Sequence, residues 1–147
     1  MTCSICGDRM TGILEGLLPY TSYLALFLRV WVGINFVAHG YPKLGKNRAQ
    51  TFQWTKSLGV PAGLTYAAII LEFFGGLSLI IGFIVPIVSF FIVLEMVGAS
   101  ILKKTKMKGQ YIGGTVAYEL DVTYILLAIS LMVLGAGAFS IDSVIGL

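Results

Sequence analysis

Five polar side chains sit where chemistry would be unusual. Arg29, Asn35, His39, Glu72 and Glu95 all fall within long apolar stretches. An ionisable group at membrane depth costs about 2.5–3.5 kcal/mol on insertion scales, so such groups face a protein interior and keep partners. Two kinds of chemistry suit the set. Opposite charges can brace a bundle as an ion-pair network. Alternatively, the cluster can hold a polar headgroup such as a quinone's and move protons, with Glu72, Glu95 and His39 as carriers. A desolvated, unpaired glutamate favours its neutral form, whereas pairing with Arg29 favours the charged one. Residue types alone leave both readings open.

Depth sorts these groups into layers. At 1.5 Å rise per residue, Arg29 lies about 12 Å from the outer end of its segment and Glu95 about 14 Å from the outer end of its own. Glu72 lies roughly 12 Å from an inner end. The expected pair is therefore Arg29 with Glu95, and Glu72 is the second choice. His39 falls level with Lys43, Glu119 and Asp121, which makes a second polar layer at the cytoplasmic end. Arg29, Asn35, Phe36 and His39 share a helical sector about 120° wide, so one face serves both layers. Gly75 and Gly76 follow Glu72, and Gly98 and Ala99 follow Glu95. Small residues one turn from an acid let a neighbouring helix or a ligand come close.

Other motifs say less. Cys3-Ser4-Ile5-Cys6 is a C-x-x-C without the βαβ setting of a redox motif. It reads as a disulfide, as two thiols, or as half of a metal site shared with a partner, because a structural zinc needs four ligands. His39 is the single histidine, so no metal site is expected from this chain alone. No nucleotide-binding glycine loop, nucleophile elbow or hydrolase carboxylate pair is present, and the catalytic residues are unassigned.

The elements that position these groups follow from composition. Of 147 residues, 57% are hydrophobic and 12% charged, with a mean hydropathy of +0.91. That excludes an ordinary soluble domain. Spanning helices need about 20 mostly apolar residues, and four segments qualify, at about 21–41, 64–84, 86–102 and 118–134. Pro42 closes the first. Gly82 to Pro86 leaves room only for a tight turn, so the second and third form an antiparallel hairpin. The expected fold is an all-α membrane protein, a four-helix bundle over 21–147. An N-terminal segment, 1–20, precedes it. There Met10, Ile13, Leu14, Leu17 and Leu18 form the face of a short amphipathic interfacial helix. No cleavable signal peptide is expected, since residues 1–20 hold acids, a proline and no unbroken apolar run.

Charge sets the topology. Lys43, Lys46, Arg48 and Lys56 lie between the first two spans, and Lys103, Lys104, Lys106 and Lys108 between the last two. The positive-inside rule makes both loops cytoplasmic and both termini extracytoplasmic. The net charge of +3 reflects these loops and possible contact with anionic lipid headgroups, so no nucleic-acid partner is expected.

The order and spacing of several short motifs resemble those of the DoxX family over roughly residues 21–145. Arg29, then His39-Gly40-Tyr41-Pro42-Lys43-Leu44 and Gly59-Val60-Pro61, is similar to that family's first span and loop. Glu72-Phe73-Phe74-Gly75-Gly76 with Gly82 resembles its second. Glu119-Leu120-Asp121, with Gly135-Ala136-Gly137-Ala138-Phe139-Ser140-Ile141-Asp142, resembles its fourth span and Gly-x-Gly-x-x-Ser-x-Asp tail; Ala136 stands where a proline is common. The resemblance implies a four-helix membrane protein of bacteria or archaea. Such proteins are linked to quinone-coupled thiosulfate oxidation, to quinol oxidases, or to scaffolds for redox-defence enzymes. The expected function is a non-catalytic subunit of a membrane oxidoreductase, assembled with other integral membrane subunits and touching quinone or lipid. The alternative is a quinone-reactive component of a thiosulfate:quinone oxidoreductase-type enzyme; a transporter or channel is a weaker third reading. No cofactor is expected on this chain alone.

Overall fold

The computed structural model describes residues 20–113 and 116–146. The expected interfacial helix and the Cys3/Cys6 pair lie outside them. The first span is α1, Thr21–Leu44. It carries Pro42 in its last turn, where the missing N–H and fixed φ bring the helix to an end at Gly45. Next comes α2, Arg48–Ser57, in a stretch expected to be only a basic loop. It is too short and polar to signal itself by periodicity. Its stability comes from docking on the following span, through a Phe52–Tyr66 ring contact at 4.4 Å and a Thr65 to Thr55 hydroxyl bond of 2.9 Å.

The second span is α3, Ala62–Ile81, interrupted by a π-helical turn at Leu71–Gly75. It ends at Gly82, whose φ of +75° only glycine adopts freely. After two further residues α4 begins, Val85–Thr105, with Pro86 in its first turn, where a proline displaces no hydrogen bond. The hairpin expected from Gly82 and Pro86 is therefore present. Then follow α5, Glu119–Leu134, and α6, Ile141–Ile145. Among the described residues there is no strand, only an isolated bridge between Gln110 and Ala117.

Three helices, α1, α3 and α4, are long and apolar enough to cross a membrane. With 16 residues, α5 is about 24 Å long and packs along α4 and α1. Val32, Phe36, Leu79, Val85, Val88, Ile92, Ala128 and Leu131 close a core to which all four contribute. The outside is equally apolar: Phe27, Trp31, Phe91 and Val133 are exposed. Apolar surface on both sides of these helices suits lipid as the solvent, and the chain is a multi-pass membrane protein.

Glycines set the register between α1 and α3. A Cβ at Gly33 would sit 2.6 Å from the Gly76 carbonyl oxygen, and one at Gly40 would sit 2.7 Å from the Phe73 nitrogen. Backbone meets backbone at both points, the close approach that small residues permit between membrane helices.

Candidate functional site

The charged residues collect at two ends of the bundle. At the end that carries the basic loops, the Gly40 contact brings α1 against the backbone of Glu72 and Phe73. Lys43, one turn further on, therefore reaches the carboxylate of buried Glu72 and pairs with it. The π turn begins one residue before Glu72. Such a turn accommodates an extra residue in the helix and shifts the facing of the side chains around it. From α4, Glu95 is half-buried and within electrostatic reach of both Glu72 and Lys43. One oxygen of each glutamate is buried without a hydrogen-bond partner. Nearby in chain order, Lys103 bonds Asp121 at 2.7 Å and ties α4 to the first turn of α5. Glu119 is half-buried in that same turn, where the helix dipole favours an acid.

Arg29 stands at the opposite end, and its expected pairing with Glu95 does not form. Its guanidinium donates to the Phe139 carbonyl and lies within electrostatic reach of Asp142. Asp142 in turn accepts from the Ile84 amide at 2.7 Å and the Val85 amide at 3.0 Å, while its own amide donates to Gly82 at 3.0 Å. The cause of the mismatch is an axial offset. A Cβ at Gly82 would collide with Arg29, so the α3–α4 turn lies level with Arg29 and not with the start of α1. Glu95, ten residues beyond Val85 on α4, is then about 15 Å further along the bundle. The segment after α5 fills the space this offset leaves. The Phe139 and Tyr23 rings meet at a tilt with centroids 5.1 Å apart, and Gly137 passes close to Ser22 and Ala25.

Among the described residues, Asn35 and His39 enter no ion pair with these groups. Asn35 donates to the Trp31 carbonyl at 2.8 Å. His39, expected in the cytoplasmic layer with Glu119 and Asp121, is exposed and opens with Lys43, Asn47, Gln50 and Trp54 onto a groove of about 400 Å³ between α1 and α2. Gly98, expected to admit a close neighbour beside Glu95, faces open space.

Two positions that tie elements together escaped the sequence reading. Asp142 was visible only as the last residue of the tail motif, and an acid eight residues past a helix end gives no periodic signal. Lys103 read simply as one of four loop lysines; its spacing from Asp121 reveals nothing until α4 and α5 pack. Chemically, the Lys43–Glu72–Glu95 group holds one cation and two carboxylates, so it can brace the helices and can also accept a proton. Among the described residues, no three His, Cys, Asp or Glu side chains gather to hold a metal ion.

Residues 24–104 match the DoxX family, a range that holds Arg29, Lys43, Glu72, Glu95 and Lys103. The chain is 31% identical over 117 residues to the Bacillus subtilis (strain 168) protein described as "Putative oxidoreductase CatD", covering 80% of this chain and 83% of that protein. No solved structure matches. With more than half of its length matched, this chain belongs to the DoxX family.

Proposed function

We propose that this protein is a small integral membrane component of a larger membrane-bound oxidoreductase, with a structural and assembly role and contact with lipid or quinone. The observation that carries the reading is the bracing of its buried charges. Lys43 with Glu72, Lys103 with Asp121, and Arg29 with Phe139 and Asp142 each tie together elements distant in sequence. Such groups act as ties between helices. The description of the relative from Bacillus subtilis supports the oxidoreductase association.

In this reading α5 crosses the membrane as a fourth span and completes a four-helix bundle. Both clusters of loop lysines then face the cytoplasm and both termini lie outside it. Gentle extraction of the native protein, followed by identification of what copurifies, tests the proposal. Other integral membrane subunits of a redox complex are the expected companions; recovery of the chain alone, as a monomer, refutes it.

One observation favours the second reading, a quinone-reactive component. Glu72 and Glu95 each keep a buried oxygen free of hydrogen bonds, and a free carboxylate oxygen can take or give a proton. Glu72→Gln and Glu95→Gln variants in native membranes then lower quinone reduction. Unchanged rates in both would rule that reading out.

A further inference from the structure

The groove between α1 and α2 is used by none of the ion pairs that hold the bundle together, apart from its edge at Lys43. It measures about 400 Å³, within the roughly 300–1,000 Å³ range of ligand pockets. His39, Asn47, Gln50 and Thr51 line it, and none of these four side chains hydrogen-bonds another group among the described residues. Each can donate a hydrogen bond. Lys43, whose ammonium pairs with Glu72, leaves a third of its side chain exposed at the groove's edge, and half-exposed Trp54 supplies an aromatic wall. From residue 40 to residue 71 the chain carries Lys43, Lys46, Arg48 and Lys56 and no Asp or Glu. The groove therefore offers donors and positive potential, the recognition chemistry of a phosphate anion.

Its setting names the source of that anion. The groove lies where a membrane-spanning helix ends and a polar helix folds back, which is headgroup level. Trp31, Ile34 and Ala38 continue the groove face down α1 at i, i+3 and i+7, all exposed, so acyl chains have an apolar track directly beneath it. We propose that this groove is a binding site for the phosphate headgroup of an anionic phospholipid. The inference sharpens the lipid contact of the proposed function into one site, and its test does not involve any copurifying subunit, so either can fail alone.

The test uses the full chain carrying Trp31→Phe, which leaves Trp54 as its sole tryptophan, in nanodiscs of phosphatidylcholine with a minor fraction of brominated phosphatidylglycerol or brominated phosphatidylcholine. Selective occupancy predicts that Trp54 is quenched as though phosphatidylglycerol were favoured on the order of fivefold. The preference falls to near one in His39→Ala/Gln50→Ala, and Lys46→Gln, outside the groove, retains most of it. Equal quenching by the two lipids overturns the proposal. So does a loss in Lys46→Gln as large as in the groove variant, which would mean diffuse surface attraction. Titrating inorganic phosphate into phosphatidylcholine-only discs separates the sources: no change in Trp54 emission agrees with a lipid site, and a saturating change overturns the lipid assignment in favour of a free anion.

Discussion

Removing Asp142 probes how the end of the bundle opposite the basic loops is held. Its carboxylate accepts from the Ile84 and Val85 amides and stands as the nearby counter-charge of Arg29, which is only 1% exposed. Ile84 has φ of +45°, a conformation costing about 1–3 kcal/mol that persists only when its surroundings hold it. Asp142→Ala takes away two bonds to a charged acceptor and leaves a buried guanidinium uncompensated. A hydrogen bond to a charged group contributes about 1.5–3 kcal/mol, so losing two destabilises by about 3–5 kcal/mol, on the order of a hundredfold or more in the folding equilibrium. Asp142→Asn, which keeps an acceptor and loses the charge, falls between. The Arg29→Met/Asp142→Ala double variant recovers part of the loss, because no charge is left stranded, with a coupling of at least about 1 kcal/mol. Reversible unfolding in mixed micelles, titrated with a denaturing detergent, measures all four corners of the cycle. A single-variant effect or a coupling below about 0.5 kcal/mol would refute an electrostatic anchor at this end.

Further outcomes follow from other contacts. Lys43→Met leaves Glu72 buried without its partner and destabilises by about 3 kcal/mol in the same unfolding assay, while Lys43→Met/Glu72→Leu lies closer to the parent protein. Gly76→Val places branched carbons against the Gly33 carbonyl and Val37; α1 and α3 must separate, and the yield of monodisperse protein after detergent extraction drops sharply. Gly98→Ala, at a site facing open space, leaves that yield unchanged. In a Cys3→Ser/Cys6→Ser background, Lys46→Cys and Ser143→Cys react with a membrane-impermeant thiol reagent from opposite sides. Labelling of both in intact cells would contradict the proposed topology.

The sequence by itself determined what depends on local composition. Apolar length marked α1, α3 and α4 to within a few residues, since the solvent acts on each segment separately. Pro42, Gly82 and Pro86 marked helix ends through their own backbone restrictions. It also marked which residues would be expensive to bury alone. Tertiary structure decided their partners. Equal depths along separate helices suggested Arg29 with Glu95, but depth was measured from helix ends, and those ends are not level. The offset is fixed where Gly33 meets Gly76 and Gly40 meets Phe73, and it brings Gly82 beside Arg29 while placing Glu72 under Lys43. The tail after α5 then delivers Asp142 to the start of α4. Likewise α2 exists because Phe52 and Thr55 find Tyr66 and Thr65 on α3. Each of these is a contact between separate segments, and no local pattern encodes the axial position at which two helices lock.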